Sequence, residues 1–273
     1  MVSREEKVAV FRALHKEGCF IIPNPWDIAA ARMLSGLGFK ALATTSSGYA
    51  FSVGQRDGTL GAEETLEYAA RIAHATDLPV TADLEDGYSK TADGIAEIVR
   101  QAAEAGLAGF SIEDRWPGGA EPFRAYDDAV QRVGAAVEAA RRHGLVLTAR
   151  ADGLAPGGYD VDEAIRRLRA FEALGAEVVY APGVPDLASL RRICKSVHAP
   201  VNHVIGLGAA GLNLAQIAEA GVRRISVGGT LARAVGGAML DIGRQVAGGD
   251  FSRLETAPGW EALRNPGVQS ANA

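Results

Sequence analysis

The feature that most constrains this chain is a unit that recurs along it: a short apolar run, a polar or glycine-rich turn, then a segment of helical periodicity. Eight runs have the length and apolar character of buried strands, namely Cys19–Pro23, Ala41–Thr44, Val80–Asp83, Gly109–Ile112, Val146–Arg150, Val178–Ala181, Val201–Val204 and Arg224–Val227. A first amphipathic helix is predicted over about Ser3–Lys16, and later ones over Glu63–Ala75, Asp93–Ala105, Asp127–His143, Asp162–Leu174, Leu187–Val197, Leu212–Ala220 and Leu231–Ala247. Gly38, Gly106, Gly175 and Gly221 stand just before strands, where glycine takes the left-handed conformation that ends a helix. Eight alternating units predict an α/β fold, a closed (β/α)₈ TIM-type barrel. An open doubly wound sheet is the alternative, but no GxGxxG fingerprint follows the first strand.

With 273 residues, 48% of them hydrophobic, the chain has material for one large core and is expected to form a single domain over 1–273. The Gly/Pro-rich stretches Arg115–Pro122 and Leu154–Tyr159 directly follow strands, so they read as loops of the active face and not as linkers. Residues 250–273 form a C-terminal extension in which Trp260 and Leu263 suggest a short additional helix, one that needs an apolar surface on this chain or on another subunit. A formal charge of −5 with scattered Lys and Arg excludes a basic field for nucleic acid. The N-terminal residues carry Arg4, Glu5, Glu6 and Lys7 in place of a secretory apolar core, and no run approaches the roughly 18 residues of a membrane span, so a cytoplasmic location without a membrane partner is expected. Cys19 and Cys194 stand far apart with no CxxC, which indicates neither a disulfide framework nor a zinc site.

In a (β/α)₈ barrel the active site is built from the C-terminal ends of the strands. The third strand runs into Asp83-Leu84-Glu85-Asp86-Gly87, and Asp83 and Glu85, two residues apart, point to one side if the extended geometry persists. Such a turn could cap the next helix or solvate a loop, but the neighbouring strands also end in acids: Glu113-Asp114 after the fourth, Asp152 after the fifth, with Asp57 following the second. Carboxylates crowded on one rim raise one another's pKa unless a cation neutralises them, so a hard divalent ion, Mg²⁺ with Mn²⁺ able to replace it, is the economical reading. Opposite this rim Arg150 offers a planar fork for a carboxylate or a developing enolate, or else serves as an ion-pair partner of Glu113 or Asp83. The Thr45-Ser46-Ser47 loop offers N–H groups and hydroxyls to an anion.

The segments Asn24-Pro25-Trp26-Asp27, Thr45-Ser46-Ser47-Gly48 with Gly54-Gln55-Arg56-Asp57, Ala82-Asp83-Leu84-Glu85-Asp86-Gly87-Tyr88, Ser111-Ile112-Glu113-Asp114 and Thr148-Ala149-Arg150-Ala151-Asp152 resemble, in order and spacing, the isocitrate lyase/phosphoenolpyruvate mutase superfamily. The resemblance runs from about Pro23 to Arg233. It implies that Asp83 contacts Mg²⁺ directly, that Glu85, Asp57 and Glu113 hold water ligands of the ion, that Thr45, Ser46 and Ser47 bind the substrate carboxylate, and that Arg150 binds the 2-oxo acid end. It also implies cleavage or formation of a C–C or P–C bond beside a 2-oxo or 2-hydroxy acid through a metal-stabilised enolate. Members of that superfamily exchange a C-terminal helix between subunits, which implies a homotetramer built as a dimer of dimers.

The chain departs from the lyases of that superfamily after the fourth strand, where a Lys-Lys-Cys-Gly-His type loop is replaced by Glu113-Asp114-Arg115-Trp116-Pro117-Gly118-Gly119, without the proton-transferring cysteine. The glutamate expected after the sixth strand is absent from Tyr180-Ala181-Pro182-Gly183, and the Lys/Asn pair of the phosphonate mutases has no counterpart before Tyr126. Loss of CO₂ from a 2-oxo dicarboxylate needs no such cysteine, because solvent can protonate the enolate. Oxaloacetate decarboxylation or hydrolysis is therefore the expected reaction, a (2-methyl)isocitrate-type lyase or a P–C bond enzyme the alternative, and a non-catalytic 2-oxo-acid-binding barrel the rival from another class. Gly206–Gly211 and Gly228-Gly229 also suggest a phosphate loop, Asn202 and His203 on the seventh strand a polar contact or an acid/base, and Arg233 a contact for a distal carboxylate or an ordinary ion pair.

Overall fold

The structure is a computed structural model, and it describes residues 2–116, 121–154, 157–206 and 211–267. It contains β1 (Phe20–Ile22), β2 (Leu42–Ala43), β3 (Val80–Asp83), β4 (Gly109–Glu113), β5 (Val146–Arg150), β6 (Val178–Tyr180), β7 (Val201–Val204) and β8 (Arg224–Ser226). All pairings are parallel, in the order β1-β8-β7-β6-β5-β4-β3-β2. Between the two outermost strands the Ala43 N–H donates to Pro23 O at 3.0 Å, so the sheet closes on itself as a (β/α)₈ barrel.

The strands are shorter than the apolar runs at several ends, most clearly at β1 and β2. Pro23 has no N–H to continue the ladder, and Thr44 turns its hydroxyl into a side-chain bond with the Asp83 N–H at 2.9 Å.

The helices are α1 (Arg4–Leu14), α2 (Ile28–Gly36), α3 (Ser46–Ser52), α4 (Ala62–His74), α5 (Ala92–Glu104), α6 (Tyr126–His143), α7 (Val161–Leu174), α8 (Leu187–Ser196), α9 (Leu214–Glu219), α10 (Thr230–Ala247), α11 (Ser252–Glu255) and α12 (Trp260–Arg264). Most begin at a side-chain cap: Ser3 in a capping box with Glu6, Asp27, Thr91, Asp160 and Asp186 each accept an N–H three residues on. Gly38, Gly106, Gly175 and Gly221 all have positive φ, as their place before a strand predicts. The core has two parts. The larger lies between the strands and the helical layer, and the smaller forms where Val8 and Phe11 of α1 close the lower end of the barrel against Ala108, Val146 and Val178. Gly109 is required there, since a Cβ would stand 2.6 Å from the backbone oxygen of Val146 on the neighbouring strand and 3.1 Å from the Phe11 ring. No helix among the described residues is long and apolar enough to cross a membrane.

Candidate active site

At the C-terminal ends of the strands lies a cavity of about 170 Å³, lined by Thr45, Ser46, Ser47, Asp57, Asp83 and Arg150 from one side and by Asn202 from the other. It is smaller than the several hundred Å³ of typical ligand pockets, which suits a small organic acid. The Thr45–Ser47 segment is not the loop that the sequence suggests. Thr45 caps α3, its Oγ1 accepting from the Gly48 N–H at 3.2 Å, so Ser46 and Ser47 form a first helical turn at the cavity wall. Glycine is needed at 48, because a Cβ would lie 2.6 Å from Thr45 Cγ2.

Arg150 stands among the acids and not across from them. Its Nη1 lies 3.0 Å from Asp83 Oδ1 and 2.9 Å from Glu113 Oε2, while Nε and Nη2 grip Asp152 at 3.1 and 3.0 Å. Register explains this, since Glu113 and Arg150 are paired neighbours on β4 and β5, and a guanidinium is drawn to carboxylates in a poorly solvated pocket. Burial opposes its charge, but Asp152, Glu113 and Asp83 together hold Arg150 firmly charged. Asp83 also accepts from Ser46 Oγ at 2.9 Å, and Ser46 reaches Asp57 at 3.4 Å.

The other acids are under strain as anions. Burial, then the charges of Asp83 and Asp57, push Glu85 up to about 7. Asp57 is raised by burial and then by Asp83, and burial raises Glu113 despite the opposing charge of Arg150. Glu85 is held at φ +45°, a conformation rare for a residue with a side chain, and its Oε1 is buried without a hydrogen-bond partner. Among the described residues no three His, Cys, Asp or Glu side chains converge closely enough to hold an ion by themselves. An unpartnered carboxylate oxygen beside acids that resist ionisation nonetheless fits a hard cation with one direct carboxylate ligand and others acting through water.

Of the sequence-derived residues, Glu85 and Glu113 are buried outside the cavity lining, and two more lie elsewhere. Asn202 and Val204 line the cavity, so the alternation of β7 turns His203 to the other side of the sheet, where it is buried and Nε2 has no partner. Arg233 is exposed and lines an adjoining cavity of about 380 Å³ that shares Ser47 and Asp57 with the first. Of the glycine-rich loop at 206–211, residues 207–210 lie outside the described residues, as do 117–120 of the loop after β4 and 155–156 of the loop after β5. The Gly228 N–H is already given to Asn24 Oδ1 at 2.9 Å, as is that of Val227, which removes the first amide of Gly228-Gly229 from anion binding. Residues not singled out from the sequence also line the cavity, among them Ser111, Tyr180, Arg224 and Ser226.

The family model described as phosphoenolpyruvate phosphomutase matches residues 11–247. A crystal structure from Burkholderia cenocepacia, provisionally described as a lyase/mutase, superposes with a TM-score of 0.92 at 42% identity, covering 98% of this chain and 97% of that one. An oxaloacetate decarboxylase from Ectopseudomonas mendocina is 32% identical over 73% of this chain and 70% of its own, and a 2-methylisocitrate lyase from Escherichia coli 30% identical over 69% and 66%.

Proposed function

The chain belongs to the phosphoenolpyruvate phosphomutase family, within the isocitrate lyase/phosphoenolpyruvate mutase superfamily, and we propose that it is a Mg²⁺-dependent enzyme that cleaves a C–C bond of a small 2-oxo or 2-hydroxy dicarboxylate, with oxaloacetate decarboxylation or hydrolysis as the leading reaction. The observation that carries this reading is the shell of buried carboxylates around Arg150 at the wall of a cavity sized for a small acid.

Asp83 would touch the ion, and Glu85, Asp57 and Glu113 would act on it through water. Bound there, Mg²⁺ supplies Lewis-acid stabilisation for negative charge that develops beside a 2-oxo group, and Mn²⁺ suits the same oxygen donors. The Thr45 and Ser47 hydroxyls, 3.2 Å apart, would donate to a substrate carboxylate, while Ser46, which donates to Asp83, would orient it. In decarboxylation the bond to the departing carboxylate breaks, CO₂ leaves, and its electron pair spreads onto the 2-oxo oxygen as an enolate. Arg150, permanently charged in this pocket, lowers the energy of that anion, and a solvent proton on carbon completes pyruvate. This route needs no cysteine after β4. Arg233, beside the outer cavity, would meet the distal carboxylate of a longer substrate. His203, turned away from the cavity, has no part in it.

A panel of oxaloacetate, isocitrate, 2-methylisocitrate, 2,3-dimethylmalate and phosphonopyruvate, assayed with and without Mg²⁺, tests the reading. Turnover of oxaloacetate only with the metal is expected. Metal-independent turnover would sink the mechanism, turnover of another panel member would reassign the substrate within the superfamily, and binding of pyruvate or oxalate without any turnover would mark a non-catalytic barrel. We propose further that the protein works in the cytoplasm as a homotetramer.

A further inference from the structure

Barrel interiors of this kind are ordinarily filled by branched aliphatic side chains, yet one interior position here holds a guanidinium. Arg224, the first residue of β8, is only 4% exposed and lines the floor of the active-site cavity. Its Nε donates to Asn202 Oδ1 at 2.7 Å, its Nη2 to Thr148 Oγ1 at 3.0 Å, and its Nη1 lies 3.4 Å from His15 Nε2. Every one of these partners is neutral. His15 is buried at the foot of the barrel with its pKa driven down to about 3, first by desolvation and then by Arg224 itself, and its Nδ1 lies 2.8 Å from Phe11 O.

Among the described residues no carboxylate pairs with Arg224, whereas Arg150, two residues beyond Thr148 on β5, is held by three. A buried cation is rarely kept without a counter-ion, because apolar residues of similar volume serve stability as well or better. The charge also fixes a neighbour. With its oxygen committed to Arg224, the Asn202 amide must turn Nδ2 the other way, where it donates to Ser226 Oγ at 3.0 Å on the cavity wall.

We propose that Arg224 is a positioning residue for the substrate anion: its uncompensated charge, acting through the fixed Asn202 amide, makes the closed end of the cavity a subsite for one carboxylate of a small dicarboxylate. The inference rests on the reading of the site given above. It names a positive charge besides that of Arg150, whose guanidinium is already shared among Asp83, Glu113 and Asp152.

Calorimetric titration of oxalate into the Mg²⁺-loaded full-length protein tests it, together with melting of the metal-free protein. Arg224→Met and Arg224→Gln are expected to weaken oxalate binding on the order of 100-fold, the usual scale for removing one side of a buried charge pair, and Arg224→Lys to keep it within about tenfold. Metal-free Arg224→Met should melt no lower than the wild type, because an unpaired buried charge has been removed. With any substrate that turns over, the neutral variants should raise KM more than they lower kcat.

Neutral variants that bind oxalate like the wild type while melting earlier would give Arg224 a purely structural role and overturn the inference, leaving the reading of the site intact. A wild type that takes up no oxalate in the presence of Mg²⁺ would overturn both. If Arg224→Met does not fold, the order of Arg224→Lys above Arg224→Gln in oxalate affinity decides, and equal affinities overturn the proposal.

Discussion

Asp83 carries more bonds than any other acid of the site, accepting from Ser46 and pairing with Arg150, and it faces the cavity. Asp83→Ala is expected to abolish Mg²⁺-dependent turnover while metal-free stability changes by only about 1–2 kcal/mol, since Arg150 keeps Glu113 and Asp152. Glu85→Ala and Asp57→Ala should weaken Mg²⁺ affinity roughly 10–100-fold, as groups acting through water do. Equal metal affinity in the wild type and Asp83→Ala would show that the rim has been misread. Glu85 also gives the metal-free protein a pH dependence. Its pKa is about 7 in the fold against an ordinary 4.5, so the folded state holds this proton more tightly. The resulting stability is present in full below about pH 4.5 and is lost as pH rises through 7, on the order of 3 kcal/mol in all. Chemical denaturation at a series of pH values should show that slope in the metal-free wild type and a shallower one in Glu85→Gln; equal slopes would assign it to other groups. Asp83 and Asp57, which line the cavity, were legible in the sequence as acids in the segments that follow the strands. Arg224, Tyr180 and Ser226 were not, because they meet the others only when β6, β7 and β8 curl round to face β3.

Between residues and the whole fold, loops are held by a second buried charge cluster behind β4 and β5. Asp114, with a fully buried side chain, accepts from the Asp152 N–H at 2.8 Å, from the Tyr159 hydroxyl at 2.5 Å and from Arg167 Nη1 at 2.8 Å. It thereby ties the end of β4 to the loop after β5 and to α7, and it fixes Asp152, which grips Arg150. Asp114→Ala should cost about 3–5 kcal/mol, the usual scale for stranding one member of a buried pair, and Arg167→Met in the same chain should restore part of it. Denaturant unfolding checks both; a loss below about 1 kcal/mol would mean that Glu163, also bonded to Arg167, suffices alone. The same elements show where pattern reading ends. The periodicity gives β3, β5 and β7 their observed bounds, whereas α3 is too short and too rich in Ser and Gly to show a helical period, and only the Thr45 cap reveals it. The outward turn of His203 depends on which face of β7 lines the barrel, which four consecutive buried residues do not disclose.

At the scale of the molecule, α10 is out of keeping with the rest of the helical layer. It runs 18 residues yet buries only Ala232, while α6, of equal length, buries seven. Val235, Met239 and Leu240 are exposed along it, Phe51 and Val53 lie exposed at the end of α3 nearby, and Phe251 and Leu254 are exposed in the tail. The tail is only partly tied to its own barrel. Pro266 packs so closely on α2 that a Cβ at Gly36 would come within 2.8 Å of its ring, but Trp260 remains 76% exposed. An apolar surface of this extent is uncommon on a monomer and needs cover. A second copy offers cover by symmetry, since the patch can meet its own image across a two-fold axis. The homotetramer proposed above therefore predicts that truncation after Gly249 yields smaller or aggregating species in light scattering, and that Met239→Glu with Leu240→Glu shifts the mass downward while the full-length chain still folds. A truncated protein of unchanged mass and thermal stability would exclude the tail from assembly. An unchanged mass in the doubly charged variant as well would leave α10 exposed in solution, and the tetramer would lose its physical basis.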